Sequence, residues 1–317
     1  MSRCRPAWSA VALLVGMTVF ALAMPAAPAG ATTRPSLECG VQPTTDVRLR
    51  EDLTCDATIG DWGSLSAPST VNVDLGGHTL TVTNGTCTYF GKCGALFNLA
   101  SVSNGTVIGD LKDVHSVRRV HVHGSVYLAE NFNGTWLMDS SVVTGGRVGL
   151  FGSNVTLANN RIYGSGPFGG GIQFLDINNV SNITIVGNRL SHVGISLFDT
   201  CGSCPGDIEA TISHNTIIGA GISISGQLES LGPIEISYNT IRDTVGDGLS
   251  VVALYSPVTS GGPVTVTGNR FSHPTGHAVN IHWMPPEPGS GVVDGGGNVA
   301  VGVGTNPACI GIVCTTR

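Results

Sequence analysis

The feature that most limits what this chain can fold into is a recurring pattern of apolar, any, apolar, two residues, Asn, any, apolar. It spans Val155–Ile162, Ile183–Leu190, Ala210–Ile217, Ile234–Ile241 and Val264–Phe271. Its asparagines are Asn160, Asn188, Asn215, Asn239 and Asn269, and Asn298 stands in a degenerate last copy. Successive asparagines are 28, 27, 24, 30 and 29 residues apart. A repeat of this length marks a solenoid or array, whose units bury their apolar faces only by stacking on neighbours. Two weaker copies lie upstream, where Ser140 and Ser125 take the asparagine position.

Between asparagines runs another apolar segment: Gly171–Phe174, Gly194–Leu197, Gly221–Ile224, Gly248–Val251 and Ala278–Ile281. Each repeat therefore holds three short strands of period-two alternation, with no room for a helix. Alternation sends one set of side chains inward, onto the equivalent residues of the coils above and below. Asn tolerates left-handed backbone and hydrogen-bonds nearby main chain, so it suits a tight corner between two strands. Stacked corners then give an asparagine ladder of structural origin. At about 4.8 Å per coil, roughly ten coils make a rod about 50 Å long.

Composition narrows the function classes. Of 317 residues 45 are Gly, roughly twice the usual share of about 7%. Charged residues make up 11%, and the only lysines are Lys92 and Lys112. A nucleic-acid binder relying on a basic patch is excluded on that count. A hydrophobic share of 41% excludes a disordered chain.

The first segment reads as an address rather than as structure. Arg3 and Arg5 precede an apolar run from Val11 to Ala23, and Ala29-Gly30-Ala31 supplies a cleavage site. The run falls short of the roughly 18–20 apolar residues that span a bilayer. Cleavage after Ala31 would release a secreted, extracellular protein with no transmembrane anchor. Cysteine usage agrees with an oxidising compartment, because an even number remains once Cys4 is removed. They fall into four sequence-local pairs: Cys39–Cys55, Cys87–Cys93, Cys201–Cys204 and Cys309–Cys314. The Cys201–Cys204 spacing also suits a redox motif, but no βαβ context surrounds it.

On the repeat and on the opening segment Val71–Leu80, the chain resembles right-handed parallel β-helix proteins of the pectate-lyase-like superfamily, of the exported bacterial type. The resemblance covers roughly residues 40–300 and implies an all-β, single-stranded right-handed parallel β-helix. The expected organisation is residues 1–31 as signal peptide, 32–70 as an N-terminal cap, 71–300 as the β-helix and 301–317 as a disulfide-stapled tail. It does not fix an activity, since this superfamily includes lyases, hydrolases, tailspikes and non-catalytic members. The Asn-Thr-Asp, Asp-Asp and Gly-His-Gly elements of polygalacturonases are not present as a set. The Asp-Pro-His of mannuronan epimerases is also missing.

In the superfamily, substrate lies along the sheet made by the Gly-Ile-x-Ile strands. Alternation there places Gln173, Ser196, Ser223, Ser250 and Asn280 outward in one column. Register sets Asp247 one coil from His277, and Asp243 one coil from His273, near enough for carboxylate–imidazole contact. A carboxylate beside His orients the ring and suits acid–base chemistry, so these four are the candidate catalytic residues. His282, Asn280, Tyr255 and Trp283 are the candidate substrate-binding residues, the aromatics either stacking on sugar rings or packing the loops down. For a lyase or epimerase the base would be His277 or Tyr255, and the cation Arg242 or Arg270. Hydrolysis by inversion needs two carboxylates about 6.5–9.5 Å apart, and Asp243 is the second available. Arg161, Arg189 and Arg270 follow ladder asparagines directly and should decorate another face. No cofactor is evident, although the acids of the loops would suit calcium.

Two histidine features complete the reading. Val120-His121-Val122-His123 puts both imidazoles on one strand face, either as part of a metal site or as plain surface. His78 reads as a hydrogen-bonded cap residue. The expected partner is a polysaccharide or surface glycan, recognised and, if the Asp/His cluster acts, cleaved. The rival expectation is a non-catalytic envelope or matrix rod that binds glycans or neighbours.

Overall fold

The computed structural model describes residues 35–56, 58–59, 70–83, 94–128, 134–150, 154–164, 171–174, 182–198, 209–226, 233–254, 263–284 and 292–317. The expected signal segment, Cys87, Cys93, Cys201, Cys204 and Tyr255 lie outside them. From Arg34 onward the chain forms one compact unit.

All regular structure among the described residues is strand, and every strand pairs in parallel with its equivalent one coil away. Three faces result. On the first, the inward residues Val47, Val73, Val102, Val117, Met138, Leu157, Ile185, Ile212, Ile236 and Val266 follow one another in register. Strands such as Arg189–Ser191 and Thr216–Ile218 make the second face, and Gly194–Phe198 and Ile222–Gly226 the third. The inward columns are almost wholly removed from water, with Trp136 and Phe271 the largest buried side chains. Branched aliphatic residues suit this arrangement because each strand packs one face against a continuous core. The chain is thus a parallel β-solenoid. A parallel crossover is right-handed in nearly all cases, which sets the hand of the coil.

The bare coil is short. Val102 pairs with Val117, Val107 with Val122 and Ile108 with His123, each 15 residues on. The later repeats add residues between the third-face strand and the next first-face strand, as between Phe198 and Ala210. Length also varies between the second and third faces, since Ile241 follows its partner Ile217 by 24 residues but Leu249 follows Ile222 by 27. It is the corner between the first and second faces that keeps its spacing through the asparagine repeats.

The ladder forms at the corner between the first and second faces. Asn188 illustrates it: its backbone N–H and its Nδ2 both donate to Asn215 Oδ1, at 2.9 and 3.0 Å. The same Nδ2 donates to the carbonyls of Leu157 and Val186, at 2.9 and 3.1 Å. The pattern links Asn160 through to Asn298, and none of these residues is more than 1% exposed. Two sequence expectations need correction here. The left-handed residue is the one before each ladder asparagine: Asn159, Gly187, His214, Tyr238 and Gly268 have φ of 57, 66, 56, 54 and 62°. The asparagine itself turns its amide into the core.

The upstream rungs are also shifted. Ser141, not Ser140, holds the ladder position, with its N–H on Asn160 Oδ1 at 3.0 Å and its hydroxyl accepting from Val120 N at 3.1 Å. Ser140 is the left-handed corner residue. Val120, not Ser125, stands one rung earlier. Ser125 belongs to the next corner, where its N–H donates to Asp110 Oδ1 at 2.6 Å. A Ser-Ser pair leaves the one-residue offset at Ser141 undetermined by pattern alone, and a coil lacking the asparagine leaves the five-residue offset at Val120 equally so.

Parallel pairing also extends past the 71–300 span at both ends. Val47–Arg48 and Leu53–Cys55 already pair with the following coil, and Cys309–Ile310 and Thr315–Thr316 with the preceding one. Cys39–Cys55 and Cys309–Cys314 are disulfides, so each end is stapled as the cysteine spacing implies.

Candidate functional site

The third face places the column expected to carry ligand. Gln173, Ser196, Ser223, Ser250 and Asn280 are in register, one per coil. Five rungs at about 4.8 Å give a polar track about 19 Å long. The glycines that open these strands are imposed by close approach. A Cβ on Gly171 would meet the Gly194 carbonyl oxygen at 2.3 Å, and one on Gly194 the Gly221 oxygen at 2.3 Å. Coils this tightly nested leave a smooth floor beside the track.

The track ends at a polar cluster on two stacked turns, Asp243–Asp247 and His273–His277. Asp247 is half-buried, and its Oδ1 accepts the backbone N–H of His277 at 2.7 Å. Its Oδ2 accepts from Asn280 Nδ2 at 2.8 Å. The expected carboxylate–imidazole bond is therefore replaced by a carboxylate–backbone bond, because the turn lifts the His277 ring toward the next coil. There His277 Nδ1 lies 2.8 Å from the Pro307 carbonyl and 3.2 Å from the Thr305 hydroxyl. The Thr305 hydroxyl donates to the Gly276 carbonyl at 2.9 Å. A carbonyl can only accept, so His277 Nδ1 carries the hydrogen in the neutral ring and Nε2 carries the lone pair.

Asp243 and His273 do meet. Their nearest atoms, Oδ1 and Nδ1, are 3.4 Å apart, and the Arg242 guanidinium lies 3.8 Å from the same carboxylate. Both residues are left-handed and at least half exposed, so the pair is a surface contact at a corner. The cluster thus divides in two: Asp247, Asn280 and His277 close the track, while Asp243 and His273 sit at the opposite end of the same turns.

His282 is exposed and in register with Val252, two residues beyond Asn280. Trp283 is in register with Ala253. Arg161, Arg189 and Arg270 lie exposed on the second face, as expected, which removes Arg270 from this track. Arg242 remains beside Asp243. His78 sits 3.6 Å from Asp52 in the first coils.

Two contributions escaped sequence reasoning. Arg147 opens the track from the other end, with Nη1 donating to Gln173 Oε1 at 3.1 Å. Its register with Gly171 was the available signal. Thr305 and Pro307 orient His277 from a segment read only as a tail. Among the described residues no group of three or more His, Cys, Asp or Glu could hold a metal ion.

Compared with known families, residues 113–271 match the family described as the right handed beta helix region. This chain belongs to the right-handed β-helix family. No curated protein and no solved structure matches the chain. The matched stretch of this β-helix protein contains the track from Arg147 to Ser250, and Asp247. It stops before His273, His277 and Asn280, which belong to the coils that follow.

Proposed function

We propose that this β-helix protein is exported and binds an extended extracellular polysaccharide along its third face. The supporting observation is the in-register column Gln173, Ser196, Ser223, Ser250 and Asn280, running from Arg147 to Asp247 and His277. Hydroxyl and amide groups at a regular spacing offer donors and acceptors to a linear chain of sugar hydroxyls. The two disulfides fit an oxidising, extracellular location. Binding without turnover, as in a matrix or envelope rod, agrees with Asp247 being engaged by two donors.

One observation favours chemistry as well. His277 Nε2 bears a lone pair and is aimed by Pro307, as a base for proton abstraction requires. That is a lyase or epimerase step. Hydrolysis by inversion has less support, because Asp243 pairs with His273 at the far end of the turns. His282, two residues beyond Asn280, would line the same end of the track, and calcium could bridge an acidic chain to the loops.

The deciding experiment is a panel of pectate, alginate, hyaluronan and neutral glycans, offered to the mature protein. Affinity, ultraviolet absorbance of unsaturated uronates and new reducing ends are read together. Binding to one glycan, weakened about tenfold or more by Asp247→Ala with His277→Ala, is the expected result. Binding unchanged in that double variant would remove the site, and no binding to any glycan would remove the function.

A further inference from the structure

We propose that the second face is a docking surface for an anionic polysaccharide, one whose carboxylate or sulfate groups recur along an extended chain. The inward residues of its strands, such as Ile162, Leu190, Ile217 and Ile241, are buried, so alternation turns their neighbours outward. Arg161, Arg189, Thr216, Thr240 and Arg270 then follow one another in register in a single column. Arg242 stands in the column beside it, two residues after Thr240.

Charge is segregated on the coil. From Val142 to Val301 no outward residue of this face is acidic, although the chain as a whole has a net charge of −6. Acids stand outward on the first face instead, at Asp74, Asp139 and Glu235. Elsewhere arginine is matched: Arg48 faces Asp74 at 3.6 Å, and Arg147 donates to Gln173. Arg161, Arg189 and Arg270 are exposed, and among the described residues none of them has an ion-pair or hydrogen-bond partner for its side chain.

The pairing of two of these arginines is a separate observation. Arg161 is directly in register with Arg189, on parallel strands about 4.8 Å apart. Like charges facing each other across a strand pair are destabilising. The fold carries that cost with no carboxylate to offset it, and an oxyanion held between the two guanidiniums would offset it.

The dimensions and the intervening residues select the partner. Arg161 and Arg270 are four coils apart, about 19 Å, so the charges lie along a line rather than around a pocket. Each guanidinium fork matches an oxyanion through two parallel hydrogen bonds. Thr216 and Thr240 fill the gap in the arginine column with hydroxyls, which suit the neutral hydroxyls of sugars. A lipid surface fits less well, because interfacial binding needs buried apolar area beside the charge. Nucleic acid also fits less well, because its affinity rests on many phosphate contacts and on base stacking. The face shares no residue with the third-face track, so neither reading depends on the other.

The test titrates heparin (sulfate) and polygalacturonate (carboxylate) into the mature protein by calorimetry, at several salt concentrations. One or both should bind, with an affinity that falls steeply as salt rises. Arg161→Gln with Arg189→Gln should weaken that binding about tenfold or more and flatten its salt dependence. The same pair changed to Lys keeps the charge without the fork and should recover part of the loss. The denaturation midpoint of the Gln variant should hold or rise, since a cross-strand repulsion is relieved, which separates lost binding from lost folding. Asp247→Ala with His277→Ala should leave this binding unchanged, so that loss on the track and loss on the arginines are told apart. No binding to either polymer, or binding unchanged in the Gln variant, would overturn the proposal. Tighter binding to phosphatidylglycerol vesicles than to either polymer would overturn it in favour of a lipid surface.

Discussion

The Asp247 carboxylate accepts the backbone N–H of His277 rather than a proton from its imidazole. An acid placed one coil below a histidine thus serves as a brace for the next turn, with Asn280 completing its hydrogen bonding. Asp247→Ala should lower stability by about 2 kcal/mol, because two bonds to a charged acceptor on a half-buried site are lost. Asp247→Asn keeps an acceptor for the His277 N–H and should recover part of the loss. Urea denaturation of the three proteins at neutral pH checks the order.

The ladder makes a sharper prediction. Replacing Asn215 by Ala strands the Asn188 N–H, directed at Asn215 Oδ1, and takes that acceptor from the Asn188 amide, which keeps the Leu157 and Val186 carbonyls. It also removes the bonds from Asn215 to Asn239 and to the Ile185 carbonyl. At about 1–3 kcal/mol for each buried group left unsatisfied, a loss of about 3 kcal/mol or more is expected. The corresponding change at Asn298, at the end of the ladder, should cost less, since no further ladder asparagine follows it. Denaturation midpoints of the two variants give the comparison.

How much of this was legible in the sequence depends on what each residue touches. The solenoid was legible because inward columns repeat one residue type at one position, as in Ile185, Ile212 and Ile236. The site was legible only as register. Spacing set Asp247 beside His277 correctly, but a ring swings on two side-chain torsions and takes whichever partner the turn presents. That partner was the Pro307 carbonyl, in a segment with no repeat pattern to announce it. The Ser140–Ser141 offset shows the same limit, because two adjacent serines carry no information about which one faces the core.

At the outer corners, bulky left-handed residues lean over the glycine one coil later. Tyr238 covers Gly268, where a Cβ would fall 2.7 Å from the ring at φ +62°. Gly268→Ala therefore meets both backbone strain, about 1–2 kcal/mol, and a steric clash. The doubly substituted protein with Tyr238→Ala should recover the steric part and keep the strain. A double-mutant cycle on unfolding free energy separates them; additive losses would show that the ring does not press on the glycine.

Acid sensitivity should trace in part to His115. It stacks on the buried Trp136 with centroids 4.0 Å apart, and its Nε2 has no partner. Burial lowers its pKa below 6.5, so between the folded value and 6.5 the unfolded chain binds more protons than the folded one. Stability contributed by the neutral ring is thus full above 6.5 and falls as pH drops through that window. His115→Phe keeps the stack and removes the titration. Its denaturation midpoint should vary less between pH 7.5 and pH 5 than that of the unmodified protein, and an identical pH profile would count against the assignment.

The polysaccharide track can be tested away from the acid and histidine cluster. Ser223 is the middle rung, exposed, and flanked in register by Ser196 and Ser250. A large side chain there stands on the outer face, so the core columns keep their contacts. Ser223→Tyr should leave the unfolding free energy within about 0.5 kcal/mol of the parent. It should still weaken binding of a long glycan about tenfold, because an extended ligand cannot lie flat across a projecting ring on a smooth floor. Short oligomers that occupy only the rungs near Asn280 should be affected less. That dependence on ligand length separates a track that binds along its whole length from a pocket at His277, for which long and short ligands would respond alike.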